Sequence, residues 1–501
     1  MTVLHYLEHT AAVFPDKRAL IDENGSYSFS ELRENALSLA FRITEKMNGV
    51  RNKPILVLLP KCKETIVTFM AIAYSGNIYS PTDIKFPYPK IKSIIDVIQP
   101  FLYISDKQNA QILHSNGIPD ESILLIEDTH HAGFDAQLSI SKMIDTDPVY
   151  IFFTSGSTGV PKGVTITHRG IIDYIDWAAD CLSITDKEVI GQIAPMYFDK
   201  STLELYLFLK TGATLNIIPE KDISFPLLFM RYVTENNISF LSMVPTAICN
   251  IANQNVLEEF DNSCLRYVLF SGEVMPNKQL NYWRKHVPQA LYANFFGPTE
   301  ITGICLYYII DRDFTDDEPL PIGFPCKNTD ILLLDEQNSL IKTQDKQGEI
   351  CVRGSSLSIG YWNAPEMTAE RFCQNPIQLN YPELIYRTGD LAHYNDRNEL
   401  MFDGRKDHQI KHIGHRIELG EIEAAARLFD GVSHVACVYN YAECKIVLFY
   451  TGVATAAEIM AFLRQHLPRY MLPRSILPLS DMPLTATGKI DRKQLQSFSE
   501  K

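Results

Sequence analysis

The sequence lacks the features that mark export, membrane insertion and metal or disulfide scaffolds. Its ten cysteines are scattered and include no Cys-x-x-Cys pair, so neither a zinc site nor a disulfide framework is predicted. No apolar run reaches the roughly 18 residues of a membrane helix, and the opening stretch, MTVLHYLEHTAAVFPDKRAL, has no apolar export core. These absences predict a cytoplasmic protein in a reducing compartment, without a membrane span.

The chain also contains fewer basic than acidic residues. The chain holds 46 Lys and Arg against 60 Asp and Glu, a net charge of −14. An acidic chain argues against nucleic acid or an anionic membrane as its main partner. With 501 residues, 46% of them hydrophobic, the chain is long enough for roughly two to four structural units.

Short apolar runs rich in β-branched and aromatic residues alternate with helical patterns, which predicts an α/β fold with mainly parallel strands. Near residue 400 the pattern changes to glycines mixed with charges, followed by a shorter α+β tail. We therefore expect a large N-terminal domain of layered sheets and helices over 1–406, and a small C-terminal α+β domain over 407–501. The runs expected to be strands are 53–60, 149–156, 212–219, 238–245 and 265–273, and 63–76 is expected to be a helix.

The stretch FFTSGSTGVPKG, residues 152–163, has the composition of an anion-binding loop. Backbone N–H groups of a glycine-rich turn can surround a phosphate, and Ser, Thr and Lys side chains add donors. Its spacing does not match the Walker A pattern, because Lys162 is followed by Gly163. This excludes a P-loop phosphotransferase, and a solvated surface loop is the alternative.

Four further motifs accompany this loop in a fixed order: NFFGPTE (294–300), YRTGDLAHY (386–394), GRKDHQIKHIGHRIELGEIE (404–423) and TGKIDRKQL (487–495). With them the chain resembles the adenylate-forming superfamily. It is most similar to the amino-acid adenylation domains of nonribosomal peptide synthetases and to stand-alone relatives such as D-alanine–carrier protein ligases. The resemblance implies that a carboxylate attacks the α-phosphate of ATP, pyrophosphate leaves and an acyl-adenylate forms. It also implies that the small domain is mobile and rotates between two half-reactions.

The resemblance implies which residues contact ATP. Asp390 would bind the ribose hydroxyls, although an isolated Asp often caps a helix or turn. Phe296 stands where the family commonly has Tyr, and its ring would stack on adenine. The full ATP set is Thr154, Ser155, Gly156, Ser157, Thr158, Gly159, Lys162, Ser271, Gly272, Glu273, Asn294, Phe295, Phe296, Gly297, Pro298, Thr299, Asp390 and Arg405.

Three more residues carry roles implied by the resemblance. Glu300 would hold Mg²⁺, a hard ion that prefers oxygen ligands. Asp407 matches the hinge about which the small domain turns. Lys489 matches the catalytic lysine, whose charge would act at the α-phosphate, whereas a lone Lys near a C-terminus is otherwise a solvated charge.

The acid pocket implied by the resemblance lies between MYFDKSTLELY (196–206) and the NFFGPTE motif. Asp199 matches the carboxylate that binds an α-ammonium, although it also suits a helix N-terminus. Lys200 either extends to solvent or meets an acidic substrate group. Bulky Leu203 and Phe295 with small polar serines favour glycine, alanine or serine. The set is Phe198, Asp199, Lys200, Leu203, Ser242, Leu269, Ser271, Phe295, Gly303 and Ile304.

The chain ends shortly after Lys489, so we expect the acceptor thiol on a separate carrier protein with a phosphopantetheine arm. Two alternatives remain open at this point. One is an acyl- or aryl-coenzyme A ligase of the same fold, against which Asp199 counts. The other is a nucleotide-binding regulator without turnover, against which the combination of Lys162, Glu300 and Lys489 counts.

Overall fold

The computed structural model describes residues 1–127, 133–156, 159–344, 346–407, 409–441, 443–485 and 490–500. The chain forms two compact units. The large unit comprises Met1–Ile84, Gln99–Phe152 and Val164–Gly404, and the small unit comprises Lys85–Ile98, Phe153–Gly163 and Arg405–Lys501. The contiguous division into 1–406 and 407–501 stays a prediction.

The helices are distributed over the whole chain. In chain order they are α1 (Leu4–Val13), α2 (Phe29–Lys46), α3 (Lys63–Tyr74), α4 (Tyr88–Ile98), α5 (Ala110–His114), α6 (Ala136–Ile140), α7 (His168–Leu182), α8 (Ser201–Thr211), α9 (Glu220–Ile223), α10 (Pro226–Glu235), α11 (Pro245–Asn253), α12 (Asn277–His286), α13 (Pro365–Arg371), α14 (Leu419–Arg427), α15 (Ala456–His466) and α16 (Arg492–Ser499).

The strands are mostly short. In chain order they are β1 (Arg18–Asp22), β2 (Gly25–Ser28), β3 (Pro54–Leu58), β4 (Ile78–Pro81), β5 (Leu102–Ser105), β6 (Ile123–Leu125), β7 (Pro148–Thr154), β8 (Lys162–Thr167), β9 (Val189–Gln192), β10 (Thr214–Ile217), β11 (Phe240–Met243), β12 (Tyr267–Ser271), β13 (Leu291–Phe296), β14 (Leu306–Ile309), β15 (Phe324–Pro325), β16 (Thr329–Leu334), β17 (Gly348–Gly354), β18 (Phe372–Gln374), β19 (Leu384–Tyr394), β20 (Leu400–Arg405), β21 (Gln409–His412), β22 (His415–Glu418), β23 (Val432–Asn440), β24 (Lys445–Gly452) and β25 (Ser475–Pro478).

Two largely parallel sheets form the centre of the fold. A nine-stranded sheet has the order β15-β14-β13-β12-β11-β9-β10-β1-β2, and a six-stranded sheet has the order β6-β5-β3-β4-β7-β8. In the nine-stranded sheet, β1, β9, β10, β11, β12 and β13 pair in parallel, whereas β2, β14 and β15 are antiparallel at its ends. All the strands expected from the sequence are present, within two residues of their predicted ends.

Local sequence explains where these elements begin and end. Every residue of β3 is buried, as expected for a parallel strand covered on both faces. Helix α2 begins at a capping box, in which Ser28 accepts the N–H of Glu31 and Glu31 accepts that of Ser28. Helix α3 ends at Tyr74, shortly before Gly76, whose φ of +73° favours glycine.

The rest of the large unit is an antiparallel sheet formed by β16, β17, β19 and β18, with β20 pairing β19. The small unit contains the hairpin β21–β22 and a sheet of order β23-β24-β25. Its core is formed by apolar side chains of α14, α15, β23 and β24, such as Ile422, Leu463, Cys437 and Leu448. The predicted fold class, large α/β sheets plus a small α+β unit, is confirmed.

Candidate active site

Four residues of the predicted acid pocket lie on one face of the nine-stranded sheet. Ser242 of β11 is opposite Leu269 of β12, and Ser271 of β12 is opposite Phe295 of β13. Leu269 and Ser271 are two residues apart, so their side chains point to the same face. The sheet register therefore brings residues from three strands into one surface.

Asp199 and Leu203 lie at the start of α8, in the same unit. The main-chain carbonyl of Asp199 accepts the N–H of Thr202, and Asp199 lies two residues before α8 begins at Ser201. Leu203 is buried, and a Cβ at Gly303 would lie 3.8 Å from the Asp199 carbonyl oxygen. The structure thus brings Gly303 close to Asp199.

Lys200 differs from its expected behaviour. The residue is partly exposed, but its Nζ is buried and donates no hydrogen bond to any described residue. Burial lowers its pKa to about 8, and the charges of Glu204, Glu273 and Asp199 oppose that shift. The solvent-directed alternative is wrong, because the ammonium nitrogen itself is buried.

The sequence analysis missed two ionisable residues: Glu204, which interacts with Lys200, and Lys61, which interacts with Glu204. Glu204, four residues further along α8, is buried, and burial raises its pKa to about 8. Lys61 follows β3, and its Nζ donates to the carbonyls of Gln192, Ile193 and Ile218 at 2.9–3.2 Å. The sequence signal that could have revealed Glu204 is its position as a single carboxylate within the apolar run STLELYLFLK.

The NFFGPTE loop is held by close backbone approach. A Cβ at Gly297 would lie 2.5 Å from the carbonyl oxygen of Gly303 and 2.6 Å from Cα of Ile304, so only glycine fits there. Glu300 is fully buried (0% exposed), and its Oε1 accepts the hydroxyl of Tyr361 at 2.8 Å. Sequence reasoning did not identify Tyr361.

The remaining predicted residues of the large unit have these positions. Glu273 accepts the N–H and hydroxyl of Thr246 at 2.9 and 2.7 Å. Asp390 lies inside β19, where it caps no helix. The Phe296 ring lies 5.8 Å from the ring of Phe402, and the Phe198 ring packs against that of Tyr197. The Asn294 amide donates to the Pro321 carbonyl, and Ile304 is buried. Gly272 follows β12, and Pro298 and Thr299 follow β13.

In the small unit, the glycine-rich loop contacts β22. The Ser155 hydroxyl donates to the Arg416 carbonyl at 2.9 Å and accepts the N–H of Glu418 at 3.0 Å. Lys162 Nζ lies 3.6 Å from Oε1 of Glu418, and both side chains are 9% exposed. Two predicted phosphate-binding side chains therefore have partners from this chain.

Gly156 and Gly159 of the loop leave little space for a side chain, which the sequence did not indicate. A Cβ at Gly156 would lie 1.9 Å from the Val160 carbonyl oxygen, and one at Gly159 would lie 3.2 Å from Ala424 of α14. The Thr154 hydroxyl is buried without a hydrogen-bond partner among the described residues. Ser157 and Thr158 lie outside the described residues.

The predicted nucleotide contact Arg405 and the predicted hinge Asp407 bind each other. Nε and Nη2 of Arg405 donate to the two carboxylate oxygens of Asp407 at 2.7 and 2.8 Å, a bidentate arrangement. The predicted catalytic residue Lys489 lies outside the described residues, and its role stays a prediction.

Comparison with known proteins establishes the family. The family model "AMP-binding enzyme" matches residues 7–362, and the model "AMP-binding enzyme C-terminal domain" matches residues 421–489. The chain belongs to the AMP-binding enzymes. The resemblance inferred from the five motifs is confirmed, and the AMP-forming ligase class predicted with it is confirmed at the level of the family.

Among curated AMP-binding relatives, tyrocidine synthase 1 of Brevibacillus parabrevis is 33% identical over 98% of this chain. The chain spans only 44% of that protein. Zwittermicin A synthase ZmaJ of Bacillus cereus is 31% identical, over 96% of this chain and 92% of its own length. The solved structure of the Vibrio cholerae adenylation domain AlmE in complex with glycyl-adenosine-5'-phosphate superposes with a TM-score of 0.85 at 22% identity, covering 99% and 97% of the two chains. This last likeness shows the fold alone.

The described part of this AMP-binding enzyme shows no metal-binding cluster, no membrane-spanning helix and no disulfide. It contains no cluster of three or more His, Cys, Asp or Glu side chains able to hold a metal. None of its described helices has the length and apolar character needed to cross a membrane. All ten cysteines are described, and none of them forms a disulfide.

Proposed function

We propose that this chain activates an amino acid with ATP and passes it to a carrier protein. In the first half-reaction the amino-acid carboxylate attacks the α-phosphorus of ATP, the bond to the β-phosphate oxygen breaks, and pyrophosphate leaves. In the second, a phosphopantetheine thiolate attacks the carbonyl of the aminoacyl-adenylate, and AMP leaves. Both steps balance with ATP, amino acid and thiol alone.

One observation carries the amino-acid assignment: the position of Asp199. Its carboxylate precedes α8, and its carbonyl lies near Gly303, one of the predicted pocket residues. A carboxylate at the end of an acid pocket supports binding of an α-ammonium, because a buried ammonium requires a paired charge. A simple fatty or aryl acid brings no ammonium to pair with it.

The side chain of the amino acid is expected to be small. Leu203 and Phe295 are bulky and buried, whereas Ser242 and Ser271 share a sheet face and offer little volume. This combination supports glycine, alanine or serine. The Lys200 ammonium is buried without a hydrogen bond to any described residue, so it does not extend to solvent.

Mg²⁺ fits the residues of the site. Mg²⁺ is usually held by one or two carboxylates together with phosphate oxygens, rather than by a cage of protein ligands. Glu300 is a buried carboxylate that would serve as the protein ligand. When bound, the ion would neutralise charge on the ATP phosphates.

The decisive experiment is exchange of labelled pyrophosphate into ATP, measured for every common amino acid in both hands. We expect exchange that depends on Mg²⁺ and is fastest for a small amino acid. Exchange with simple carboxylic acids, and none with any amino acid, would contradict the proposal. Transfer to a phosphopantetheine-loaded carrier protein, compared with free coenzyme A, separates a carrier ligase from a coenzyme A ligase.

The catalytic role of Lys489 is tested separately. In Lys489→Ala, loss of a charge aimed at the developing negative charge should slow adenylation by roughly 10²–10³-fold. Thiol transfer from a preformed adenylate should continue at the native rate. Equal losses in both half-reactions would contradict a role confined to adenylation.

A further inference from the structure

We propose that Tyr361 is a positioning residue, whose hydroxyl holds the Glu300 carboxylate in the orientation that binds Mg²⁺. The inference rests on the proposed function, in which Glu300 is the metal-binding carboxylate. It adds a residue outside every motif that the sequence analysis singled out. Tyr361 follows the stretch SSLSIG (355–360) and precedes α13.

The bond between the two side chains is short and buried. The Tyr361 hydroxyl lies 2.8 Å from Oε1 of Glu300, and the two residues are 6% and 0% exposed. The terminal torsion of a glutamate is broad and has no strongly preferred angle. A hydrogen bond from a fixed donor therefore favours one orientation of the plane of the Glu300 carboxylate.

Tyr361 itself is fixed by three neighbours. Its N–H donates to the Thr368 hydroxyl at 2.9 Å, and its ring packs edge-on against Phe372 at 5.9 Å. Its backbone also forms an isolated bridge with Val164 of β8. The hydroxyl is thus presented from a rigid support, as a positioning group requires.

The same segment also holds the backbone of Glu300. The N–H of Ser358 donates to the Glu300 carbonyl at 2.9 Å. Main chain and side chain of Glu300 are therefore held by residues only three positions apart in sequence. A carboxylate fixed at both ends loses little further freedom when it takes up a cation.

The chemistry of the bond suits a metal-binding carboxylate. A hydrogen bond to an ionised acceptor is roughly twice as strong as a neutral one, so a phenol stabilises a buried carboxylate without adding a competing positive charge. Partners that orient metal ligands typically contribute about 10–100-fold to metal affinity or activity. Removing only the Tyr361 hydroxyl should therefore weaken Mg²⁺ binding and leave the pocket shape intact.

The test measures ATP binding by calorimetry, first in EDTA and then at increasing Mg²⁺, for the native protein and Tyr361→Phe. We expect equal ATP affinity in EDTA. The Mg²⁺ concentration that gives half of the maximal increase in ATP affinity should rise about tenfold in the variant. Tyr292→Phe is the matched control, because it also removes a buried hydroxyl, one that donates to the Val287 carbonyl at 3.0 Å. It should change neither value.

Glu300→Gln distinguishes failure of this inference from failure of the proposed function. If the Mg²⁺-dependent gain persists in Glu300→Gln, Glu300 is not the metal ligand and the proposed assignment is wrong. If Glu300→Gln abolishes the gain but Tyr361→Phe leaves it unchanged, the positioning role of Tyr361 is overturned. In the double variant, Tyr361→Phe should add nothing to Glu300→Gln, and an additive loss would also overturn it.

A second measurement covers the case in which Tyr361→Phe folds poorly. Thr368→Val removes the hydroxyl that accepts the Tyr361 N–H and keeps the phenol itself. We expect a smaller shift of the Mg²⁺ dependence in the same direction, again without change in EDTA. A shift absent from both variants would overturn the inference.

Discussion

Two buried lysines, one in each unit, illustrate opposite ways of placing a charge near a predicted ligand site. Lys162 of the glycine-rich loop lies 3.6 Å from the Glu418 carboxylate. Lys200 at the start of α8 has a buried ammonium without any hydrogen-bond acceptor in the described chain. The first charge lies within ion-pair distance of a carboxylate, whereas the second makes no hydrogen bond to any described residue and only the charges of Glu204, Glu273 and Asp199 offset part of its cost of burial.

The difference follows from the elements that carry the partners. Glu418 ends β22, opposite Gln409 of β21, and Gln409 Nε2 donates to its Oε1 at 2.6 Å. The hairpin therefore presents a fixed carboxylate to the loop. Glu204 is a helical neighbour of Lys200, four residues away, yet it makes no hydrogen bond with it in the described structure. Sequence proximity alone did not produce an ion pair.

The largest effect is expected at Asp199, the proposed partner of the substrate ammonium. Asp199→Ala would leave that ammonium buried and unpaired, which typically costs about 3–5 kcal/mol. We expect kcat/KM for the amino acid to fall by roughly 10²–10³-fold or more, measured as pyrophosphate exchange. Binding of ATP alone should stay near the native value.

The des-amino analogue of the same substrate is the control for Asp199→Ala. It should be a poor substrate for the native enzyme, and the preference for the amino acid should shrink or reverse in the variant. An undiminished preference would show that Asp199 is only structural. The coenzyme A ligase alternative would then regain weight.

The second prediction concerns the stability of the protein when Lys162, the lysine paired with Glu418, is replaced. Lys162→Met would leave Glu418 buried without its cation, and we expect a loss of about 3 kcal/mol. Thermal melting without ATP measures it. The double variant Lys162→Met/Glu418→Gln should recover part of the loss. A single variant as stable as the native protein would show that the pair contributes nothing.

The third effect has the opposite sign. Lys200→Met removes an ammonium that is buried without a hydrogen bond to any described residue, so we expect a gain in stability on the order of 2 kcal/mol at pH 7. Burial raises the pKa of Glu204 to about 8, so at pH 7 this carboxyl is mostly protonated and leaves little negative charge behind when the ammonium is removed.

The pH dependence of this gain follows from the Lys200 pKa. Burial lowers it from 10.5 to about 8, so the unfolded chain holds this proton more tightly than the folded one, and native stability rises with pH between these values. The advantage of Lys200→Met should therefore be full below pH 8 and disappear by pH 10.5. Melting curves across this range measure it, and a gain independent of pH would contradict the assignment to Lys200.

The smallest effect is expected for Ser155→Ala. The variant loses one bond donated to the Arg416 carbonyl and one accepted from the Glu418 N–H, which together contribute about 1–2 kcal/mol. Ser105→Ala is the comparison, because that buried serine donates a single bond to the Leu58 carbonyl. Equal losses in the two variants would show that the second bond of Ser155 has no effect.

Much of the fold could be predicted because its signals are local. Strand β3 is apolar throughout, α3 stops just before Gly76, and β7 runs into the glycine-rich loop. Each pattern depends on residues that are neighbours in the chain. The motifs around Glu300 and Asp390 were recognised for the same reason.

Partners that are distant in sequence could not be predicted. Nothing in GYW, around Tyr361, indicates that its hydroxyl reaches Glu300, 61 residues away. Likewise, the pairing of Lys162 with Glu418 depends on the turn of a hairpin that begins more than 240 residues later. Such contacts arise from packing of separate elements, which composition and spacing do not encode locally.

The sequence by itself determined the element order, the ligand-binding motifs and the family, because periodicity, turn residues and motif spacing are properties of the linear chain. Only the tertiary structure decided which charges are compensated. Lys162 and Lys200 are both lysines beside predicted ligand residues, but one faces a strand end that supplies a carboxylate and the other is enclosed without an acceptor. Burial and partner geometry, rather than residue type, set the free energy of each charge.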